Sequence, residues 1–456
     1  MAKPLSILDS GWLMMETSET PMHVGGLQLY ELPDDAGPDY VESVYRFLVD
    51  VDEVAPPFNL KLHSRLPGAV GASWVEDDAL DIEYHVRHSA LPYPGRVREL
   101  LALTSRLHSH RLDRARPMWE CHVIEGVEGN RFAVYIKMHH SLVDGVAGSR
   151  LLQARMSTSA AEHRAPPWST HWLEDKPKRS VPARVVSSSM VTAPVRAALA
   201  LGRGVREVGS MMTLPRSGNA TTIYRAPKTQ LNGRVTGARR FAADSWSLSL
   251  IRDVAKRHGA TVNDVFLLMC AGSLREYLIS QDALPEEPLV AQVPVSLRAA
   301  DQADDGGNAI SAVQVSLGTH LADPIERLAA IRESMGAART RLGAMASDEI
   351  LAFTALTNIP LSVGQITGIS GRINPLFNLV ISNVPGPKEA RYLLGAKMVA
   401  NYPVSLVWHG YAVNITVQSY LDNLDVGIIA CRNRVPHVQR MLDHLENALV
   451  ELEEAG

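Results

Sequence analysis

Two adjacent histidines, His139 and His140, begin the segment HHSLVDG at residues 139–145. The preceding run from Phe132 to Met138 is rich in strand-forming residues, which predicts that both histidines lie at the end of a β-strand. Imidazole titrates near neutral pH and a strand holds it rigidly, so His140 is suited to take a proton from a hydroxyl group. Adjacent histidines are also common in purely structural roles, and the pair by itself leaves both interpretations open.

The residue types around the histidines limit the kinds of reaction that this segment could catalyse. Neighbouring residues of a strand point to opposite faces, so the two imidazoles would not converge on one ion and no metal site is predicted. No serine or cysteine nucleophile elbow is evident in the sequence. If the acyl donor is an activated thioester, a hydroxyl deprotonated by His140 can attack it directly, without a covalent acyl-enzyme.

Asp144 and Gly145 are expected to shape the loop that follows the histidines. A carboxylate at position 144 can pair with a buried cation, for which Arg298 and Lys61 are the candidates. Gly145 permits a tight turn into a following helix.

Length and composition limit the expected number of lobes, the expected partners and the expected compartment. A chain of 456 residues exceeds the size at which one hydrophobic core stops growing, so two packed lobes are expected. The formal net charge of −4 gives no strong field for a polyphosphate backbone, and nucleic acid is not an expected partner. The three cysteines are far apart in the sequence and predict neither disulfides nor a thiolate metal site, which fits a reducing cytoplasm.

The sequence also lacks the signs of a membrane-spanning or exported chain. The N-terminus has no apolar core of a signal peptide, and the longest clean apolar run, Val265 to Gly272, is too short to cross a bilayer. Any work on lipids would take place at a membrane surface or in a groove of the protein. The basic stretch Val191 to Met212 fits either an amphipathic helix on anionic lipid or a solvated helix packed on one lobe.

Clusters of Pro, Ser and charged residues without sustained alternation indicate a linker at 156–220. They divide the chain into a predicted N-terminal lobe at 1–155 and a predicted C-terminal lobe at 221–456. Helices are predicted to begin at Arg98, Pro324 and Pro436. Strands are predicted at Gly25–Tyr30, Phe132–Met138, Leu289–Val295, Ile310–Leu317, Phe377–Ser382 and Ala412–Ser419. The result is a mixed α/β protein without the glycine-rich motifs of nucleotide-phosphate folds.

The HHSLVDG segment matches the HHxxxDG motif of the bacterial wax ester synthase/acyl-CoA:diacylglycerol acyltransferase family, and the chain is identified as a member of it. Five further segments are similar to family blocks and occur in family order. They are PMHVGG at 21–26, RPMWE at 116–120 with Met118 replacing the usual Leu, TVNDV at 261–265, PVSLR at 294–298 and SNVPGP at 382–387. Together they span almost the whole chain.

The resemblance implies two chloramphenicol-acetyltransferase-like α/β lobes with mixed sheets and a tunnel at their interface. It implies that His140 is the general base and His139 supports it. Acyl-CoA would be a co-substrate, with no other cofactor, and the acceptor would be a fatty alcohol, giving a wax ester, or diacylglycerol, giving triacylglycerol. The protein would be cytoplasmic and would touch the inner membrane face or lipid bodies.

The resemblance also carries roles to other positions. Asn263 and Asp264 would organise the site across the interface, although capping of a helix is an equally physical role for either. Asn383, Pro385 and Gly386 would lie in a loop beside the tunnel. The oxyanion stabiliser is left open between Asn263, a backbone N–H and a bound water.

Several other residues are predicted to line the substrate passage, and each has an alternative role in solvation or core packing. Arg239 and Arg240 are candidates to bind CoA phosphates, or are simply solvated. Phe353–Leu361 and Val404–Trp408 are candidate walls for the acyl chain, or are core elements. The segment around Met118 is expected to pack in the core.

Two other functions remain in view. One is acyl transfer to a different hydroxyl or to an amine, and the other is a non-catalytic protein of lipid bodies that uses the fold as a scaffold.

Overall fold

The computed structural model describes residues 3–64, 72–143, 145–174, 226–296, 310–345 and 347–455. Asp144, Arg298 and the basic stretch Val191 to Met212, all of which carried predictions, lie outside these ranges.

The strands of the described residues fall into two six-stranded sheets and one three-stranded sheet. They are β1 (Lys3–Pro4), β2 (His23–Glu31), β3 (Leu60–His63), β4 (Ser73–Glu76), β5 (Val86–Ala90), β6 (Trp119–Val127), β7 (Arg131–His139), β8 (Arg239–Ser247), β9 (Val290–Ser296), β10 (Ile310–Ser316), β11 (Leu379–Val384), β12 (Tyr392–Leu393), β13 (Ala396–Val404), β14 (Val413–Tyr420) and β15 (Asn423–Cys431).

The described residues also form helices. They are α1 (Ile7–Met15), α2 (Tyr40–Val49), α3 (Ile82–His85), α4 (Val97–Ser109), α5 (Gly145–Ala154), α6 (His171–Glu174), α7 (Leu248–Arg257), α8 (Val262–Ile279), α9 (Pro324–Gly343), α10 (Ser347–Ile366) and α11 (Arg440–Glu454), with a 3₁₀ turn at Gln230–Asn232.

The first sheet has the strand order β12-β13-β2-β7-β6-β5 and holds the two histidines. Strand β7 confirms the strand predicted at Phe132–Met138, and His139 is its last residue. Strand β2 pairs with β7 antiparallel, with His23 opposite His139. The close approach of β2 to β7 needs a glycine, because a Cβ on Gly25 would lie 2.5 Å from the carbonyl oxygen of Ile136.

The second sheet has the order β10-β9-β11-β14-β15-β8, and β9, β10, β11 and β14 confirm the four strands predicted there. Helix α9 begins at Pro324 as predicted, with Asp323 accepting from the N–H groups of the first turn. The last helix begins later than predicted, at Arg440 rather than at Pro436. His437 adopts a φ of 56°, which a right-handed helix cannot contain.

One strand from the C-terminal half of the chain belongs to the first sheet. Strand β13 pairs with β2, and Asn401 lies opposite Gln28. The buried carboxylate of Asp425, on β15 of the second sheet, accepts from the backbone N–H of Asn401 at 2.7 Å. The two sheets are therefore joined by a strand and by a hydrogen bond. The lobe boundaries predicted at 155 and 221 stay predictions.

This buried carboxylate predicts a pH dependence of stability. Burial raises the pKa of Asp425 to about 6, against partial compensation by hydrogen bonds from Asn401 and Ser245. The folded state binds the proton more tightly than the unfolded state, so stability falls as pH rises from about 4 to about 6, by up to about 3 kcal/mol. Asp425→Asn should remove this fall and gain stability above pH 6. Urea unfolding of both proteins from pH 4 to 8 measures it, and a pH-independent difference between them would contradict the assignment.

Candidate active site

The two histidines share a position at the end of β7 but have different surroundings. His139 is completely buried, while His140 is partly exposed. The backbone N–H of His140 donates to the carbonyl of Met22 at 2.8 Å, which continues the pairing with β2 and fixes the backbone at this point. Alternation along the strand therefore places one ring inside the first lobe and the other at its edge.

The contacts of His139 define its tautomer. Its Nδ1 accepts from the backbone N–H of Ser141 at 3.1 Å and lies 2.6 Å from the hydroxyl oxygen of the same residue. Because Nδ1 is an acceptor, Nε2 carries the proton, and it lies 3.5 Å from Oε1 of Glu16. His139 is thereby held in one orientation from both edges of the ring.

Glu16 is the anchor of this arrangement, with a side chain only 1% exposed. Arg114 donates to Oε2 at 2.9 and 3.0 Å, and the N–H of Met22 donates to Oε1 at 3.2 Å. Burial alone would raise the pKa of Glu16, but the nearby His139, the hydrogen bond from the N–H of Met22 and the charge of Arg114 lower it to about 2. The carboxylate is thus ionised at neutral pH.

His140 is stacked against Trp12 of α1, with ring centroids 4.1 Å apart and an interplanar angle of 20°. Its Nδ1 is buried. The residue as a whole is partly exposed. A neutral imidazole in this position can accept a proton from a bound hydroxyl group.

Trp12, Glu16 and Arg114 are functional candidates that the sequence analysis did not single out. Trp12 and Glu16 are four residues apart, a spacing that brings side chains to one side of a helix. That spacing was the available signal, but nothing local indicates that this face meets residues 139–141. Arg114 is 98 positions away from Glu16, and only the fold brings them together.

Asp264 caps helix α8. Its Oδ2 accepts from the backbone N–H of Thr261 at 2.9 Å and from the Thr261 hydroxyl at 2.7 Å, and the hydroxyl oxygen accepts from the N–H of Asp264. This capping box is the alternative role considered from the sequence. Asn263, next to it in the first turn, is half-buried, and its role at the site stays a prediction.

The loop after the histidines is described only in part. Gly145 begins α5, which agrees with a turn into a helix, whereas Asp144 lies outside the described residues. Lys61 donates to Asp77 at 2.7 Å, so this candidate partner of Asp144 is already engaged by another carboxylate.

The two arginines proposed for CoA phosphates differ in exposure. Arg239 is 4% exposed, and its guanidinium donates to the carbonyls of Thr236, Glu19 and Val407, which does not favour a phosphate contact. Burial lowers its pKa to about 10. Arg240 is half-buried and remains the better candidate.

The SNVPGP segment forms the end of β11 and the loop beyond it. Asn383 and Pro385 are exposed, and Gly386 is packed tightly. A Cβ on Gly386 would lie 1.9 Å from the carbonyl oxygen of Ser419, so only glycine fits. The role of this loop beside a substrate passage stays a prediction.

The two predicted walls for the acyl chain differ in character. Phe353, Thr357 and Leu361 of α10 line a cavity in the second lobe, opposite β9 and β10, and α10 packs against α1. Val404 and Val407 are each 1% exposed and belong to a hydrophobic core cluster, which is the alternative considered for that segment. Met118 is also fully buried, as expected.

The described residues contain neither a membrane-spanning helix nor a cluster of metal ligands. None of their helices is long and apolar enough to cross a membrane. Within the same ranges, no three His, Cys, Asp or Glu side chains are grouped so that they could hold a metal ion.

Solved structures define the fold class. The first condensation domain of the CDA synthetase superposes with a TM-score of 0.57 at 15% identity, over 100% of this chain and 96% of that chain, which shows the two-lobed chloramphenicol-acetyltransferase-like fold alone. A wax ester synthase/diacylglycerol acyltransferase from Marinobacter aquaeolei VT8 superposes with a TM-score of 0.79 at 40% identity, over 99% of both chains.

The family follows from sequence comparison. Residues 5–266 match the model of the wax ester synthase/diacylglycerol acyltransferase catalytic domain, and residues 306–453 match that of the WS/DGAT C-terminal domain. A probable diacylglycerol O-acyltransferase of Mycobacterium tuberculosis is 45% identical over 98% of both chains. The O-acyltransferase WSD of Acinetobacter baylyi is 42% identical over 98% of this chain and 96% of the relative. The chain belongs to the wax ester synthase/diacylglycerol acyltransferase family and is an acyl-CoA-dependent O-acyltransferase.

Proposed function

We propose that the protein transfers a long-chain acyl group from acyl-CoA to a fatty alcohol or to diacylglycerol, with His140 as general base. The observation that carries the proposal is the ring of His140, which has a buried Nδ1 and lies at the partly exposed end of β7. The names of the Marinobacter and Mycobacterium relatives support these acceptors. No cofactor other than the co-substrate acyl-CoA is needed.

The proposed reaction needs a single proton acceptor, the imidazole of His140. The acceptor hydroxyl donates to Nε2 of His140, and its oxygen attacks the thioester carbonyl carbon as the proton moves to the imidazole. The tetrahedral intermediate then collapses, the C–S bond breaks, and the CoA thiolate takes the proton from the imidazolium. His139, fixed by Glu16 and Ser141, holds the backbone turn that orients His140.

The burial of the three cysteines and of Ser141 supports direct transfer without an acyl-enzyme. Cys121, Cys270 and Cys431 are all completely buried, and burial raises the pKa of Cys121 and Cys270 far above the ordinary range. Ser141 is 4% exposed and its hydroxyl is held by His139. A buried thiol or hydroxyl cannot reach a bound thioester without a rearrangement of the core.

The remaining predicted residues act around this centre in the proposal. Asp144 and Gly145 shape the loop after the histidines, and Asn263 remains a candidate oxyanion donor. Arg240 binds CoA phosphates, while Asn383, Pro385 and Gly386 border the interface tunnel. The role of Arg240 rests on its charge and partial exposure, and each of the other roles rests on the family motif that the residue matches.

A screen of CoA release tests the proposal. Palmitoyl-CoA is offered with hexadecanol, dioleoylglycerol or hexadecylamine, and the products are identified by mass spectrometry. Ester formation with either hydroxyl acceptor is expected, and transfer to the amine alone would contradict it. Protein quenched during turnover should carry no acyl group, so a stoichiometric adduct would contradict direct transfer. Binding to lipid without any transfer would favour the scaffold function.

We further propose that the protein works at the inner membrane face or on lipid bodies, through the face of α10 formed by Ile359, Val363 and Ile366. These residues, the α10 stripe, are 54%, 51% and 49% exposed and follow helical spacing on one side. Lys228 and Arg372 are exposed beyond the end of the stripe, where Lys228 Nζ donates to the carbonyl of Arg372 at 2.9 Å. Apolar side chains flanked by cations fit an anionic phospholipid surface.

Replacing all three residues of the α10 stripe by serine should lower binding to phosphatidylcholine/phosphatidylglycerol vesicles several-fold, since apolar area buried in the interface is lost. Co-sedimentation measures the bound fraction. A matched triple variant at exposed apolar residues elsewhere, Leu250, Ile279 and Val450 to serine, should bind like the unaltered protein. Equal binding by the two triple variants would contradict the assignment of the surface.

A further inference from the structure

We infer that Trp12 is a positioning residue for His140, whose indole face fixes the plane of the imidazole and stabilises the imidazolium formed during acyl transfer. The two rings lie nearly parallel, with centroids 4.1 Å apart. No motif of the sequence assigns Trp12 a role. The inference rests on the proposed function, because it concerns the charge that His140 gains in that reaction.

The helix that carries Trp12 is held firmly at both ends. Ser6 and Asp9 form a capping box at the start of α1, with the N–H of Asp9 donating to the Ser6 hydroxyl oxygen at 3.0 Å. Glu16, just beyond the last turn, is paired with Arg114 at 2.9 Å. The indole is therefore presented to His140 by a fixed element.

Packing beneath the helix fixes its rotation about its own axis. Leu13, the neighbour of Trp12, is 2% exposed and belongs to a hydrophobic cluster with Trp74 and Met118. Met118 directly precedes β6, the strand that pairs with β7. The apolar side of α1 is thus anchored to the sheet that ends in the two histidines, and the stack follows from that anchoring.

The stack favours the charged state of the ring. An indole face attracts a cation through its quadrupole, and this attraction is larger for imidazolium than for neutral imidazole. In the proposed reaction, His140 is neutral before the hydroxyl proton is transferred and charged afterwards. An interaction that strengthens during the reaction raises kcat and leaves KM unchanged.

Two variants separate the π face from the bulk of the side chain. Trp12→Leu keeps an apolar side chain without a π face and should lower kcat by about 2- to 30-fold, with the KM of both substrates unchanged. Trp12→Phe keeps a π face and should retain most of the rate. Unaltered kcat in Trp12→Leu, an equal loss in both variants, or a loss expressed in KM would each overturn the inference.

A spectroscopic experiment tests the stack without relying on turnover. Protonated imidazole quenches the emission of an indole stacked on it, so the fluorescence of the unaltered protein should fall as pH decreases from 8 to 5. His140→Ala and Trp12→Phe should both lack this component. Retention of the full decrease by either variant would overturn the inference.

The His140→Ala variant retains the other titratable groups around this end of α1, namely His139, Glu16 and Arg114, so the difference reports His140. Failure of the acyl-transfer screen with a normal fluorescence titration would count against the proposed function and not against the stack.

Discussion

His140→Ala is expected to lower the rate of CoA release from palmitoyl-CoA and an alcohol by about 10² to 10⁴-fold, the usual contribution of a positioned general base. The alcohol would then have to lose its proton to water. Because His140 is partly exposed and its backbone is held by Met22, removal of the ring should leave the fold intact. Stopped assays with 5,5′-dithiobis(2-nitrobenzoate) follow the released thiol.

The matched control is His163→Ala, which removes an exposed imidazole that has no role in the proposed site. It should retain the full rate. Thermal unfolding of both variants should show transitions close to that of the unaltered protein. A His140→Ala protein that folds normally and keeps more than a few per cent of the rate would eliminate His140 as the general base.

Lys137→Met should produce the largest loss of stability, about 3–5 kcal/mol, because it leaves a buried carboxylate without its main cation. Lys137 is 1% exposed and lies two residues before His139. Its Nζ is 3.2 Å from Oε2 of Glu120 and donates to the carbonyls of Leu107 and His110 at 2.9 Å. Urea unfolding of the two proteins at pH 7 measures the difference in free energy.

The exposed pair Arg46 and Glu42 supplies the control for this stability prediction. The Arg46 side chain is 74% exposed, and Arg46→Met should leave the unfolding midpoint nearly unchanged because water already solvates both charges. If Lys137→Met were no more destabilising than Arg46→Met, then His122 and Arg87, the other neighbours of Glu120, would have to be sufficient to compensate its charge.

Local patterns in the sequence were sufficient to predict that the histidines lie at the end of a β-strand. The run of β-formers before His139 predicted β7, because strand formation depends on the side chains of that run and on burial of its alternating faces. The same holds for the N-cap at Asp323, where one side chain satisfies two orphan N–H groups. Family blocks added the role of His140, which the local pattern alone had left open.

Features that depend on distant contacts were not predicted. Trp12 reaches His140, and Glu16 reaches Arg114, only because α1 folds back across the end of β7. Arg239 looked like a surface cation in the sequence, yet the fold buries it among carbonyl groups. For Asp264 the sequence allowed two roles, and the observed capping box is the local one.

Strand β13 belongs to the C-terminal half of the chain but completes the first sheet beside β2. The two halves of the chain therefore depend on each other. Without residues 396–404, β2 would become an open edge, with unpaired N–H and C=O groups beside the histidines. A fragment that ends before this strand would carry HHSLVDG on an incomplete sheet and would be prone to self-association. Co-expression of complementary fragments could restore a working molecule, whereas a hybrid of two relatives would need its β13 and β2 to come from compatible parents.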